Sequence, residues 1–201
     1  MLTVAIAGAS GRMGRLLLEQ VAASENTKLV GALEHAGSPE LGADAGALVG
    51  RPWGVRIVSD PVVALQGADV VIDFSSASAT PGVVRAAAAA GVACVVGTTG
   101  LSAEAEEALR EAAKKIPLLA APNMSLGVQV LAHALAETLR LLGSDWDVEI
   151  IETHHRAKRD APSGTALRLA DVVMRSRDLT HDDLKHGRHG ASAQRTLSEV
   201  G

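Results

Sequence analysis

The sequence contains no tyrosine, one phenylalanine and two tryptophans among its 201 residues. This scarcity of aromatic side chains argues against a nucleic-acid platform on which bases stack. The single cysteine, Cys94, excludes an internal disulfide and is typical of a reducing compartment. The net charge of −4 shows no basic excess of the kind that attracts nucleic acid or a membrane surface.

Long apolar runs are also missing. No uninterrupted apolar stretch reaches the roughly 18 residues that a membrane span needs, and the N-terminus lacks the basic start and long apolar run of a secretory signal. Apolar residues nevertheless make up 47% of the chain, which is enough for a real core and excludes general disorder. We therefore expect a soluble cytoplasmic protein without a membrane partner.

Short apolar runs alternate with alanine-rich helical patterns along the chain. Strands are predicted at residues 2–7, 28–33, 69–74, 92–96, 117–121 and 147–152. Helices are predicted at residues 13–24, after Asp60-Pro61, from Ser78 or Thr80 to Ala90, after Ser102, at 124–142 and from Ser163 to Ser176. This alternation is typical of an α/β fold with a Rossmann-like, doubly wound parallel sheet. The pattern changes near residue 122, which predicts a dinucleotide-binding domain at 1–121 and a second, incomplete α/β substrate domain at 122–201.

A glycine-rich turn follows the first predicted strand. It reads Gly8-Ala9-Ser10-Gly11-Arg12-Met13-Gly14 and opens a helix. Glycines let the backbone approach a pyrophosphate, and the helix N-terminus offers free N–H groups. The G-x-x-G-x-x-G spacing differs from the usual G-x-G-x-x-G, so an ordinary tight turn is the alternative interpretation.

An acidic residue ends the second predicted strand. Glu34 lies twenty residues after Gly14, where a carboxylate can accept hydrogen bonds from the adenosine ribose. The neighbouring His35 would hold a 2′-phosphate less firmly than an arginine, and Arg12 is the better phosphate partner. A solvated loop carboxylate is the alternative for Glu34.

Two further loops follow predicted strands. Gly97-Thr98-Thr99-Gly100 and Ala121-Pro122-Asn123-Met124 both lie where parallel sheets place ligands. Either loop could line the nicotinamide ribose and ring. Turn chemistry alone explains these residue types equally well.

The most informative segment reads ETHHRAKRDAPSGTA, at residues 152–166. His154 and His155 are groups that exchange protons near neutral pH, and Lys158 can donate a proton or neutralise an anion. The Pro162-Ser163-Gly164-Thr165 stretch resembles a capped helix start whose free N–H groups would hold a carboxylate or phosphate. A basic surface loop is the alternative.

A metal site is not predicted. Adjacent histidines in an extended loop point in different directions and are poor joint ligands. The later group His181, Asp182, Asp183, His186 and His189 has poor ligand spacing and is better explained as solvated loop residues.

Four of these motifs together resemble one enzyme family. The segments GASGRMG, GTTG, APNMS and ETHHRAKRDAPSGTA are similar to those of 4-hydroxy-tetrahydrodipicolinate reductase, also called dihydrodipicolinate reductase. The last motif is highly specific, and the resemblance runs in order from residue 2 to about residue 180. It implies NADH- or NADPH-dependent reduction of a small cyclic dicarboxylate in diaminopimelate and lysine biosynthesis.

The resemblance also implies roles for particular residues. His154 corresponds to the proton donor and acceptor of the family, and Lys158 to its proton donor. Substrate-binding positions correspond to His155, Gly164 and Thr165. Cofactor contacts correspond to Gly8, Ala9, Ser10, Gly11, Arg12, Met13, Glu34, His35, Gly97, Thr98, Thr99, Ala121, Pro122, Asn123 and Met124.

Family members continue past the position that matches Gly201, with several more strands, and assemble as homotetramers through the second domain. We therefore expect this chain to be a truncated reductase whose assembly and full activity are reduced. The alternatives are a non-catalytic nucleotide-binding fragment and another two-domain Rossmann dehydrogenase acting on an amino-acid precursor.

Overall fold

A computed structural model of the chain describes residues 1–154, 156, 161–187 and 200. The chain divides into two compact units, Met1–Ala121 and Pro122–Gly201. None of the helices in the described residues is both long and apolar enough to cross a membrane.

The first unit is built on a six-stranded parallel sheet. Its strands are β1 (Leu2–Ala7), β2 (Thr27–Leu33), β3 (Ile57–Val58), β4 (Val70–Asp73), β5 (Ala93–Val96) and β6 (Leu118–Ala120). They lie in the order β3-β2-β1-β4-β5-β6, and every neighbouring pair is parallel. This is the strand order of a doubly wound dinucleotide-binding sheet, with its switch point between β1 and β4. The predicted fold class is confirmed.

Helices cover both faces of this sheet. They are α1 (Arg12–Ala23), α2 (Pro61–Ala64), α3 (Thr80–Ala90) and α4 (Ala103–Ala113). Successive side chains of a strand point to opposite faces, and β1 shows the result. Val4 and Ile6 pack in one core cluster with Leu18 of α1, whereas Ala5 and Ala7 join the other cluster. Every one of these β1 residues is at most 2% exposed.

The helix boundaries follow local chemistry, with one correction. Asp60 and Ser102 cap α2 and α4 as predicted, because their side chains accept hydrogen bonds from Val62 N and Ala105 N. The prediction that Ser78 or Thr80 caps α3 is wrong: the N-cap is Ala79, which makes no side-chain cap hydrogen bond. The Thr80 hydroxyl instead donates a hydrogen bond to the buried carboxylate of Asp73.

Two short elements lie between β2 and α2, where the sequence pattern predicts neither a strand nor a helix. A 3-10 helix spans Ala45–Val49, and β3 forms the edge of the sheet. Asp44 organises this segment, since its carboxylate accepts hydrogen bonds from the backbone N–H groups of Gly46, Trp53 and Gly54. These bonds lower the pKa of Asp44 below its ordinary value, with the Trp53 N–H as the largest cause.

The second unit contains two long helices, α5 (Leu126–Leu142) and α6 (Gly164–Ser176), and a 3-10 helix at His181–Asp183. Its core cluster joins Leu139 of α5 to Ala170, Val173 and Met174 of α6. Ser125 and Ser163 cap the two helices through hydrogen bonds from Val128 N and Ala166 N. The predicted start of α6 is confirmed.

The predicted strand at residues 147–152 is wrong. Among the described residues this segment forms no strand, and Val148 makes an isolated parallel bridge to Val200. Strand formation depends on which residues lie alongside, and an apolar sequence pattern does not identify them.

Candidate active site

A pocket of about 580 Å³ opens at the carboxyl ends of β1, β2 and β4, beside the switch point of the sheet. Open parallel sheets bind ligands at this position. Five of the predicted cofactor residues line it, namely Gly8, Ser10, Gly11, Glu34 and His35. The opposite wall comes from the segment after β4 and the start of α3, including Phe74, Ser75, Ser76 and Ala79.

The glycine-rich turn requires glycine for steric reasons. Gly8 has a φ of +76°, and a Cβ there would lie 2.7 Å from the Phe74 carbonyl oxygen. A Cβ on Gly14 would lie 2.1 Å from the Gly8 carbonyl oxygen. The backbone is therefore folded more tightly than any other residue type allows. Gly11, the N-cap of α1, has no side chain to occupy the free N–H groups of the first turn, which leaves them available to an anion.

Glu34 is held in place by this turn. Its Oε1 accepts hydrogen bonds from the backbone N–H and the hydroxyl of Ser10, both at 2.8 Å, and its Oε2 lies 3.3 Å from His35 N. The His35 ring accepts a hydrogen bond at Nδ1 from Gly37 N, at 3.2 Å. Glu34 therefore presents a fixed carboxylate at the pocket, and the described walls of the pocket include neither arginine nor lysine. Arg12 is the first residue of α1 and lies outside these walls.

A buried carboxylate that the sequence analysis did not single out supports the opposite wall. Asp73, at the end of β4, is fully buried. Its Oδ1 accepts hydrogen bonds from the Ser75 N–H at 2.9 Å and the Ser75 hydroxyl at 2.5 Å, and its Oδ2 accepts one from the Thr80 hydroxyl at 2.7 Å. Asp73 thereby joins β4, the pocket wall and α3. An aspartate that ends an apolar strand and precedes Phe-Ser-Ser was the available sequence signal.

The predicted Gly97–Thr99 loop reaches the same strand end. The Gly97 N–H donates to the Asp73 carbonyl oxygen at 2.9 Å, and the Thr98 hydroxyl lies 3.3 Å from that oxygen. A Cβ on Gly97 would lie 2.1 Å from the Phe74 ring, so a larger residue there would require that ring to move. The structure thus brings this loop beside Phe74, a residue of the pocket wall.

In the second unit, Asn123 lies against a predicted substrate residue. Its Nδ2 donates to the Thr165 hydroxyl at 2.8 Å, and its Oδ1 accepts a hydrogen bond from Ser125 N at 2.8 Å. Its backbone carbonyl accepts a hydrogen bond from the Gln129 amide at 3.0 Å. Asn123 is predicted as a cofactor contact, whereas its side chain contacts Thr165, which follows Gly164 at the start of α6.

Glu152 connects His154 to the start of the same helix. Its Oε2 lies 2.8 Å from His154 Nε2 and accepts a short hydrogen bond from the Ser163 hydroxyl, while its Oε1 accepts a hydrogen bond from Ser163 N at 2.8 Å. These donors lower the pKa of Glu152 to about 2, with the Ser163 hydroxyl as the largest cause, then the Ser163 N–H and then His154. Glu152 is a site residue that was not predicted from sequence, although it opens the ETHHRAKRDAPSGTA segment.

A cavity of about 770 Å³ lies within the second unit and is lined in part by Glu152, Pro162, Ala166, Leu167 and Lys185. This volume suits a small-molecule ligand. His155 and Lys158, both predicted site residues, lie outside the described residues. Within the described part of the chain, no group of three or more histidine, cysteine, aspartate or glutamate side chains is arranged to hold a metal ion.

Comparison with known proteins accounts for both units. The family model of the dihydrodipicolinate reductase N-terminus matches residues 2–124, and that of the dihydrodipicolinate reductase C-terminus matches residues 127–201. The chain belongs to the dihydrodipicolinate reductase family. The predicted resemblance is confirmed.

Individual members of the family agree with this assignment. The chain is 45% identical to the 4-hydroxy-tetrahydrodipicolinate reductase of Anaeromyxobacter dehalogenans (strain 2CP-C) over 203 aligned positions, which cover all of this chain and 75% of that protein. It is 46% identical to the enzyme of the same name from Cupriavidus necator, with 76% of that protein covered. A solved dihydrodipicolinate reductase from Paenisporosarcina sp. TG-14, with dipicolinate bound, matches with a TM-score of 0.69 at 26% identity and covers 100% of this chain and 77% of its own.

Membership of this reductase family implies a nicotinamide cofactor, and the first unit fits one. Gly8 and Gly14 allow a tight turn, because any Cβ there would collide with a carbonyl oxygen. This turn leads into the free N–H groups at the start of α1, where the fold binds a pyrophosphate. The Glu34 carboxylate lies at the end of β2, where this fold contacts the adenosine ribose.

Proposed function

We propose that this chain reduces 4-hydroxy-tetrahydrodipicolinate to tetrahydrodipicolinate, with NADH or NADPH bound by the first unit and the cyclic dicarboxylate bound by the second. The observation that carries the proposal is the match to both parts of the reductase family, at residues 2–124 and 127–201. When bound, the nicotinamide supplies the hydride that reduces the substrate at C4. In this proposal the domain boundary after residue 121 separates the cofactor-binding unit from the substrate-binding unit.

In the first unit, the glycine-rich turn and the start of α1 would hold the pyrophosphate. The free N–H groups at this helix end favour an anion, and Arg12 adds a positive charge to the first turn. Glu34 would accept hydrogen bonds from the ribose hydroxyls through Oε2, since Oε1 already accepts two bonds from Ser10. Gly97, Thr98 and Thr99 would contact the cofactor beside Phe74.

In the second unit, His154 would exchange a proton with the substrate and Lys158 would donate one. The Gly164 and Thr165 N–H groups, in the first turn of α6, would bind a substrate carboxylate, because they have no partner within the helix. His155 would contribute to the same site. We retain a homotetramer as the expected assembly of the family and a small-molecule dicarboxylate as the binding partner.

We infer that NADH binds at least as well as NADPH. A 2′-phosphate would meet the Glu34 carboxylate in a pocket whose described walls carry no arginine or lysine. Calorimetric titration with both cofactors at one ionic strength measures this directly. Tighter binding of NADPH by tenfold or more would contradict the inference.

A coupled assay with synthase-generated substrate tests the proposed chemistry. His154→Ala and Lys158→Ala should each lower turnover by about 10²- to 10⁴-fold, the usual range for loss of an acid–base group, and leave the dissociation constant for NADH within about threefold. The exposed residues His133 and Lys28 provide matched controls, His133→Ala and Lys28→Ala. NADH binding without any turnover by the unmodified chain would favour the nucleotide-binding fragment instead.

A further inference from the structure

One carboxylate serves two parts of the second unit. Glu152 Oε2 lies 2.8 Å from His154 Nε2 and also accepts the Ser163 hydroxyl bond, while Oε1 accepts the Ser163 N–H bond at 2.8 Å. Ser163 is only 4% exposed, and its own Oγ accepts a hydrogen bond from Ala166 N at 3.0 Å. The bonds from Ser163 therefore fix the Glu152 carboxylate at the start of α6 independently of its contact with the His154 ring.

The hydrogen-bond pattern determines which nitrogen of His154 carries a proton. An ionised carboxylate only accepts hydrogen bonds, and the Ser163 hydroxyl and N–H, the two largest causes, hold the pKa of Glu152 below its ordinary value, so it is ionised at neutral pH. Nε2 must then carry the hydrogen that points at Oε2. In the neutral ring the lone pair consequently resides on Nδ1.

We propose that Glu152 is a positioning residue that holds His154 in its Nε2–H tautomer, so that Nδ1 is the nitrogen that exchanges the proton with substrate. The same carboxylate fixes Ser163, which immediately precedes Gly164 and Thr165 at the start of α6. Glu152 thus keeps the proton-exchanging nitrogen and the carboxylate-binding helix end in a constant relation. The catalytic consequence of this inference rests on the proposed role of His154.

The alternative is a purely structural role, in which Glu152 only secures the start of α6. Two substitutions separate the roles. Ser163→Ala removes the hydroxyl bond and the helix cap but leaves the Ser163 N–H and His154 bonds to Glu152. Glu152→Gln keeps the shape of the side chain, but its oxygen must face Ser163 N, because an amide N–H there would oppose another N–H. The amide N–H₂ then occupies the Oε2 position and favours an unprotonated Nε2.

The tautomer can be observed by NMR. Nitrogen-15-labelled histidine in the full 201-residue chain gives distinct ring signals for the two tautomers, and His154→Asn identifies the signal of this residue. We expect the Nε2–H form in the unmodified chain and in Ser163→Ala, and the Nδ1–H form in Glu152→Gln. Glu137→Gln is the matched control, because Glu137 is an exposed partner of Arg140 on α5 of the same unit; it should leave the signal unchanged.

Turnover provides the second measurement. Glu152→Gln should lower kcat by about 10²-fold or more and change KM much less, because a neutral ring in the wrong tautomer binds substrate without exchanging its proton. An Nδ1–H signal in the unmodified chain, an unchanged signal in Glu152→Gln, or a kcat of this variant within twofold of the unmodified enzyme would overturn the proposal. If the signals change as expected but His154→Ala retains turnover, the hold of Glu152 on the ring is supported and the proposed role of His154 fails.

Discussion

The buried Asp73 provides a direct test of how the nucleotide pocket is built. Its Oδ2 accepts a hydrogen bond from the Thr80 hydroxyl at 2.7 Å, and both residues are fully buried. Thr80→Val replaces that hydroxyl with a methyl group of similar size. Loss of a hydrogen bond to a charged group typically costs about 1.5–3 kcal/mol. Burial of the added methyl recovers at most about 0.8 kcal/mol. We expect the free energy of unfolding of the first unit to fall by about 1–2 kcal/mol.

The effect should extend to cofactor binding. With the Thr80 hydroxyl removed, the Asp73 carboxylate keeps its hydrogen bonds from Ser75, which lines the pocket. We expect the dissociation constant for NADH to rise about 3- to 10-fold, which corresponds to a loss of about 0.7–1.4 kcal/mol in binding free energy. Thr80→Ser retains the hydroxyl and should bind NADH as tightly as the unmodified chain.

Unfolding in urea, followed by tryptophan fluorescence, measures the stability change. Trp53 packs against the core of the first unit, whereas Trp146 is an exposed residue of the second, so a Trp146→Phe background reports the first unit alone. Thr138→Val, on an exposed part of α5, is the control and should change stability by less than about 0.5 kcal/mol. A Thr80→Val chain as stable as the unmodified one, or equal NADH affinities for Thr80→Val and Thr80→Ser, would refute the reasoning.

Two further predictions concern other parts of the molecule. Burial, with a smaller contribution from Asp73, raises the pKa of Cys94 to about 12. Because only the thiolate reacts, alkylation of Cys94 by iodoacetamide at pH 8 should be at least about 10³-fold slower in the folded chain than in urea. Mass spectrometry measures both rates. Because the pKa of Cys94 is higher in the folded than in the unfolded chain, its contribution to the free energy of unfolding is complete at neutral pH and is lost as the pH rises toward 12. Equal labelling rates in the folded chain and in urea would contradict the raised pKa. Asn123→Ala should raise KM for the dicarboxylate more than the dissociation constant for NADH, because the Asn123 side chain bonds to Thr165. Steady-state kinetics and calorimetry measure the two constants. A larger rise in the dissociation constant for NADH would mean that Asn123 serves the cofactor site alone.

Much of the first unit could be predicted from local sequence. The strand β1 and the turn after it were predictable because an apolar run followed by closely spaced glycines has few other solutions. Ser102 in the first unit, and Ser163 in the second, were predictable as caps, since a hydroxyl before a helical pattern satisfies a nearby N–H group. Gly91 ends α3 with a φ of 71°, as its position after an alanine run indicates.

The errors arose where a residue has a distant partner. Thr80 has the composition of a cap residue, but its hydroxyl bonds to Asp73, seven positions earlier on β4. Residues 147–152 have the pattern of a strand, but pairing depends on what lies alongside, and the described contact is a bridge to Val200. Neither partner can be found from periodicity.

The sequence by itself determined the alternation of strands and helices, the glycine-rich turn and the family, because each depends on residue types at short spacing. Only the tertiary structure decided the strand order, which places the ends of β1, β2 and β4 around one pocket. It alone also showed that Ser10 holds Glu34, and that Glu152 joins His154 to Ser163. These are contacts between residues that the backbone brings together, and their geometry exists only once the chain has folded.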